Sequence, residues 1–232
     1  MVNRQPPQWL RGLAAATDYG ELAALSRHLA PGDIEARRSA VLMLFGNGQD
    51  GLGRSRQDPD EPGVDVLLIE RAHTLRSHPG QPAFPGGAID PDDAGPEDAA
   101  LREAVEETGL DPSGVEVLAT FPDLWLPPSG FVVTPVLGWW REPTPVRVMD
   151  PAEVASVHRV PVSELINPDH RLRVRHRSGF VGPAFRVRGL LVWGFTAGIL
   201  SALLDSAGLA MPWDEGRIEE WPEVADAGRT VR

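Results

Sequence analysis

Apolar positions along the chain fall into short runs of two periods. Ala40–Phe45 and Val64–Glu70 are β-type apolar runs, separated by a polar stretch dense in Gly, Asp and Pro. They predict an antiparallel hairpin with a long mobile tip, residues 46–63. Upstream, the Ala/Leu-rich stretches Gln8–Ala16 and Gly20–Leu29 predict two helices, with Pro31-Gly32 as the stop. Residues 71–87 show no period and predict an irregular connection. Pro96–Thr108 predicts a helix: Pro96 suits the first helical position, Glu97 and Asp98 load the first turn, and Gly109 follows the last. Strands are predicted at Val115–Phe121 and Phe131–Arg141, around the turn-rich Pro122–Gly130. Val154–Ile166 predicts a strand entering a short helical turn. His170–Arg177 and Phe185–Arg188 predict a second hairpin, and residues 190–207 a closing helix. The Pro, Gly and mixed charge of residues 208–232 predict a loose tail.

The most apolar stretch, Leu190–Leu204, falls short of the roughly 20 residues that cross a bilayer. Charged Arg188 and Asp205 flank it, so a buried core helix is expected. The opening MVNRQPPQWLRG has no continuous apolar run, so no signal peptide is expected and the cytoplasm is the expected location. At 232 residues the chain suits one main domain with extensions. A net charge of −11 argues against a general nucleic-acid binder and against a protein held on anionic lipid. All 22 basic residues are arginine, which excludes a P-loop lysine and a Schiff-base lysine, and with no cysteine there is no thiol nucleophile, thiolate metal site or disulfide. Gly46, Gly48 and Gly51 spell the dinucleotide fingerprint after a strand. That fingerprint needs a helix at its third glycine, and Asp58-Pro59-Asp60-Glu61-Pro62 denies one.

The chemistry concentrates in residues 86–110. On the predicted helix Glu103, Glu106 and Glu107 share one face, where like charges repel by about 0.2–0.5 kcal/mol per pair. Glu106 and Glu107 also occupy the last turn, where the helix dipole disfavours anions by roughly 0.3–1 kcal/mol each. Arg102 is the only nearby compensation. A solvated charged face with ordinary Asp98–Arg102 and Arg102–Glu106 pairs is the plain reading. The placement against the dipole, after a Phe84-Pro85-Gly86-Gly87 turn that admits close carbonyls, favours a hard-cation site instead. Oxygen donors of this kind suit Mg²⁺ or Mn²⁺, and such ions serve phosphate chemistry.

Arg102-Glu103-Ala104-x-Glu106-Glu107-x-Gly109-Leu110 resembles the second half of the Nudix box. Residues 67–87, LLIERAHTLRSHPGQPAFPGG, resemble the extra signature of the coenzyme A diphosphatase branch of Nudix hydrolases, with Arg71-Ala72 for its usual R-S and Pro82 for its valine. Phe131–Val136, Glu153-Val154 and Val192–Gly198 resemble further blocks of that branch. The resemblance implies an α/β fold, a Nudix-type α/β/α sandwich with a mixed β-sheet and a loop-helix-loop catalytic motif. It implies a Nudix domain over residues 37–207, preceded by an N-terminal helical extension over 1–36 and followed by a C-terminal tail over 208–232. One departure stands out. The standard box places a glutamate eight residues before the arginine, where this chain has Ala94, and Gly87 to Arg102 is one residue longer than standard. Asp92 or Asp93 could take the vacant place.

Carried over position by position, the resemblance implies Glu103, Glu106, Glu107 and the Gly87 carbonyl as metal ligands, for Mg²⁺ or Mn²⁺. Arg102 would orient Glu103. Glu103 is the first choice of general base, and Glu153 is a second base or an extra ligand; a surface acid opening a helical turn is the plain reading of Glu153. Arg71, Arg76 and His78 are the candidate substrate-binding residues, since arginine forks suit phosphate oxygens. The implied substrate is coenzyme A or acyl-CoA, cleaved at its pyrophosphate to 3′,5′-ADP and 4′-phosphopantetheine or its acyl form. Alternatives are another nucleoside diphosphate derivative, such as ADP-ribose or a sugar nucleotide, and a non-catalytic nucleotide-binding module. Neither nucleic acid nor membrane is an expected partner.

Residues 170–188 hold six Arg, two His and no acid. Alternation puts Arg171, Arg173, Arg175 and Arg177 on one strand face. A solvated face, or a homodimer contact with an acidic surface of another protomer, is expected there ahead of a substrate role. Trp125, Trp139, Trp140 and Trp193 are expected in the core rather than against a base.

Overall fold

A computed structural model of the chain describes residues 5–16, 37–48, 63–126 and 130–220. The helix expected at Gly20–Leu29, most of the expected 46–63 tip and the end of the tail lie outside the described residues.

The long strand β1 (Arg37–Asn47) runs parallel to β7 (Phe131–Trp140), from Arg37↔Phe131 to Gly46↔Trp140. Its other edge is shared between two partners. The C-terminal end of β1 pairs antiparallel with β2 (Val64–Arg71), Phe45 opposite Val66, which is the hairpin read from the sequence. Its N-terminal end pairs with β4 (Gly86–Ala88), Ala40 opposite Gly87. β1 and β2 therefore diverge, and β3 (Pro82–Ala83), on the far end of β2, fills the gap with β4. The expected irregular connection thus contains two strands too short to show a period. The sheet is completed by β5 (Val115–Thr120) and β6 (Leu124–Leu126) on β7, and by β8 (Val154–Pro161) on the outer edge of β2.

Helices cover both faces. α1 (Gln8–Ala15) buries Leu10 and Leu13 against one face, with Met43, Phe45, Leu68, Leu137 and Trp139. α2 (Pro96–Thr108) lies on the other, packing Ala99, Ala100 and Ala104 on Leu42, Leu44, Leu67, Val136 and Trp140. Alanines on that stripe let the helix sit close to the strands. After β8 comes the single turn α3 (Val162–Leu165), and then a second, mixed sheet. It consists of β9 (Arg171–Arg175), β10 (Val181–Val187), β11 (Leu190–Val192) and β12 (Ile218–Glu220), in the order β11-β10-β9-β12. α4 (Gly194–Ser206) joins α1 on its face of the first sheet. The layering is that of an α/β/α sandwich, and Trp125, Trp139, Trp140 and Trp193 are all buried.

Three expectations change. The closing helix starts at Gly194 rather than 190: Arg188 and Gly189 both take positive φ (51° and 79°), and this hairpin turn folds Leu190 back opposite Val187 as β11. Among the described residues, no helix is long and apolar enough to cross a membrane. The tail is not loose from residue 208, because β12 pairs in parallel with β9. Finally, the arginines of the second hairpin do not form one solvated face. Arg175, Arg186 and Arg188 pair with Glu220, Glu219 and Glu164 of the same chain. Arg171 is only 2% exposed. Its guanidinium lies over the Phe185 and Trp213 rings, at 5.2 and 4.8 Å, and donates to Ser201 Oγ at 2.6 Å. Burial holds its pKa below the usual arginine value.

Candidate active site

The acids of α2 collect where β1 and β2 diverge. Gly109 closes the helix in the left-handed conformation (φ 68°), its N–H donating to the Val105 carbonyl at 2.8 Å. Two more carbonyls of the last turn are satisfied from the segment before β8. Arg147 N–H donates to the Thr108 carbonyl and Met149 N–H to that of Glu107, at 2.9 and 3.2 Å. Those backbone donors partly relieve the helix end that carries the acids.

Glu107 is 3% exposed, and its Oε2 accepts from Gly86 N–H at 3.0 Å. Burial pushes its pKa up to about 8. The Gly86 hydrogen bond and the nearby Arg71 pull it down, while Glu103 and Glu153 push it further up. Burial also raises the pKa of Glu103, against the stabilising hydrogen bond and charge of Arg102, with Glu106 and Glu153 adding to the rise. The exposed Glu153, which sits just before β8, therefore faces the same cluster. Its carbonyl accepts from Ala72 N–H at 2.8 Å, which fixes its turn to the end of β2.

Two glycines make this closeness feasible. A Cβ at Gly86 would lie 2.3 Å from the Ala40 carbonyl oxygen. A Cβ at Gly87 would lie 2.4 Å from the Glu103 carboxylate, so that carboxylate rests directly against the turn.

Arg102 organises the near side of the cluster. Its Nε and Nη2 grip both oxygens of Asp93, at 2.9 and 3.0 Å. Nη1 donates to Glu103 at 3.1 Å and to Glu106 at 3.3 Å, and Nη2 also reaches the Ala88 carbonyl at 3.0 Å. Asp93 further accepts from Asp90 N–H at 2.7 Å. These contacts hold Asp93 below the usual carboxylate range, the Arg102 hydrogen bond foremost, and keep Arg102 protonated. Asp93, not Asp92, therefore stands in for the acid missing at Ala94. The side chain of Asp93 is 4% exposed, whereas Asp92 is exposed to solvent. Both neighbours are aspartates, so only the turn geometry distinguishes them.

Arg71 also faces the acids, and its buried Nε has no hydrogen-bond partner. The other two candidate substrate residues lie on the exposed part of the β2–β3 loop, His78 within electrostatic reach of Arg71. No hydrogen bond or ion pair links Arg76 to a described residue. His78 takes a positive φ of 55°. Although solvent reaches its ring, the surrounding loop lowers its pKa by desolvation, against a raising hydrogen bond with Gln81.

Among the described residues, no three acidic or histidine side chains stand at ligating distance around one point. The chemistry of the donor set fits a divalent cation even so. Glu153 raises the proton affinity of both Glu103 and Glu107, Glu103 adds to that of Glu107, every donor is an oxygen, and Gly87 leaves the space that a side chain would fill. An exposed carboxylate such as Glu153 can turn toward an ion.

The α/β/α fold carries a loop and helix lined with oxygen donors of the kind that suits a divalent cation. The chain belongs to the Nudix family: the NUDIX domain matches residues 55–180. It is 41% identical over 150 residues to an uncharacterized Nudix hydrolase, NudL, of Cronobacter sakazakii, covering 62% of this chain and 74% of that protein. Against the NudL of Escherichia coli (strain K12) it is 39% identical over 149 residues, covering 61% and 74%. Among solved structures, the Nudix hydrolase RenU of M. Smegmatis shares the fold with a TM-score of 0.51. The identity is 18%, over 78% of this chain and 91% of RenU. The activity is that of a Nudix hydrolase on a pyrophosphate-containing substrate.

Proposed function

We propose that this chain hydrolyses the pyrophosphate linkage of coenzyme A or its acyl derivatives, using Mg²⁺ or Mn²⁺. The products would be 3′,5′-ADP and 4′-phosphopantetheine or its acyl form. The observation that carries the reading is the Glu103 carboxylate resting against Gly87 with Glu107 and Glu153 within electrostatic reach, and Arg71, of the segment that resembles the coenzyme A signature, facing the same acids. Arg71 would meet a phosphate held at the acid cluster, a role its unpaired Nε supports.

Glu103, Glu107 and Glu106, with the Gly87 carbonyl, would hold the divalent ions. Bound there, such ions neutralise anhydride oxygens and lower the pKa of an attacking water. Glu103 accepts that water's proton, its proton affinity raised by burial. Arg102, gripped by Asp93, fixes the Glu103 carboxylate in the position from which it does so. Glu153 is the second base or an additional ligand. The water oxygen bonds to one phosphorus as the bridging P–O bond breaks, leaving two phosphate monoesters. Arg76 and His78, on the exposed loop, would meet the 3′-phosphate of the substrate.

The test is incubation with Mg²⁺ or Mn²⁺ and a panel of CoA, NADH, ADP-ribose and dNTPs, with products resolved by chromatography. Turnover of CoA to two monoesters is expected. Selective turnover of ADP-ribose or dNTPs would overturn the substrate, and binding without turnover of any compound would overturn the enzyme. Glu107→Gln should abolish activity with the fold intact.

A further inference from the structure

A cleft of about 390 Å³ opens along the outer edge of β8, between that strand and the segment joining β7 to β8. Val157 and Arg159 in its wall lie four and six residues beyond Glu153, roughly 13–20 Å along an extended strand. It is a different place from the acid cluster, and no step proposed above uses it.

Its walls are rich in hydrogen-bond donors. Arg159 spends Nη2 on the Asn47 carbonyl (2.6 Å) and on Asp65 (2.8 Å), and its guanidinium lies 4.8 Å from the Trp140 ring centre. Its Nε and Nη1 are buried and have no partner, and the same holds for the Thr144 hydroxyl. Leaving such buried donors unpaired is costly, which makes a ligand that accepts from them favourable. Arg188, at the β10–β11 turn, gives Nε to Glu164 at 2.7 Å, which leaves both Nη groups for a ligand. It does so with φ at 51°, one of only two non-glycine residues with positive φ among the described residues. The two-residue β10–β11 turn sets that φ. His158 is a fixed wall: its Nε2 lies 2.6 Å from Ser156 Oγ, which in turn donates to Glu70 at 2.7 Å. Val146 and Val157 supply an apolar side.

We propose that this cleft binds a small organic phosphate. The phosphoryl head takes hydrogen bonds from Arg159, Arg188 and Thr144, and an apolar body lies against Val146 and Val157. Two guanidinium groups and a hydroxyl match three phosphoryl oxygens better than the two of a carboxylate. Asp65 and Glu164 offset the two positive charges, so the recognition depends on directed donors rather than on net charge.

The test titrates phenyl phosphate, and separately inorganic phosphate, into the metal-free full chain while the arginine Nε–H resonances are followed by NMR. Arg159 and Arg188 should shift together, and phenyl phosphate should bind several-fold more tightly than inorganic phosphate. Arg188→Asn removes the guanidinium with a residue that tolerates positive φ. It should weaken phenyl phosphate binding about tenfold or more while leaving hydrolase turnover unchanged. Glu107→Gln should leave cleft binding intact, which keeps this site's fate separate from that of the catalytic reading. Unmoved Arg159 and Arg188 resonances, or equal binding in Arg188→Asn, would overturn the proposal.

Discussion

Arg102 forms hydrogen bonds to Asp93, Glu103, Glu106 and Ala88, and only Asp93 grips it with both carboxylate oxygens. Aspartate is one methylene shorter than the glutamate of the standard box, and the one extra residue between Gly87 and Arg102 lets the shorter arm arrive. Asp93→Ala should therefore cut kcat roughly 10- to 100-fold with little change in KM, the usual scale for removing the partner that orients a ligand. Asp92→Ala should do nothing measurable. Deleting Ala94 together with Asp93→Glu restores the standard spacing and should recover most of the rate; failure to recover would mean that Asp93 acts by some other route. Glu107 gives a second test, in the metal-free protein. Its folded pKa of about 8 lies above the ordinary 4.5, so from about pH 4.5 to 8 the unfolded chain has released a proton that the folded chain retains. Stability should thus be highest below that window and fall as pH rises through it, by something on the order of 3–5 kcal/mol if Glu107 dominates. Urea unfolding in EDTA would read the slope, and Glu107→Gln should flatten it. A metal-free protein that gains stability between pH 5 and 8 would contradict the burial of this carboxyl.

At the level of elements, what the sequence disclosed follows from period and punctuation. The β1–β2 hairpin and α2 were legible because each carries a full apolar run or a strong end signal, Pro96 at the start and Gly109 at the stop. β3, β4 and β12 were not, being two- and three-residue strands selected by their neighbours; β12 is held partly by Arg175–Glu220 and Arg186–Glu219 across the sheet. β11 was hidden because Leu190-Leu191-Val192 continues without a break into the apolar face of α4, and a continuous apolar run does not distinguish strand from helix. The acid cluster itself was legible from the spacing of Glu103, Glu106 and Glu107. The Gly86 N–H that holds Glu107, and the backbone donors of Arg147 and Met149, leave no mark in side-chain identity. The segment after α4 makes the sharpest element-scale prediction. Trp213 covers the buried Arg171 guanidinium, two of whose nitrogens have no hydrogen-bond partner. Trp213→Ala should cost about 1–3 kcal/mol in urea unfolding, from the lost ring contact and the poorer burial of a cation. A change within about 0.5 kcal/mol would show that residues 208–220 contribute no more than an ordinary exposed segment.

For the whole molecule the governing quantity is a net charge of −11, set against a substrate that is itself a polyanion on the coenzyme A reading. Two fields act on that encounter at different ranges. The summed charge of the protein repels the substrate from afar, while Arg71, Arg76 and any bound cation attract it at contact. Salt separates them, because the Debye length is about 30 Å in 0.01 M salt and about 10 Å in 0.1 M. Raising NaCl across that interval screens the distant repulsion and leaves the short contacts largely intact. With Mg²⁺ saturating, kcat/KM should therefore rise roughly two- to fivefold, through KM, with kcat nearly constant. Arg76→Ala, which removes an exposed cation with no partner among the described residues, should raise KM at every salt concentration and steepen the rise. A fall in kcat/KM over the same interval would mean that the basic loop, and not the acidic body of the protein, governs how the substrate arrives.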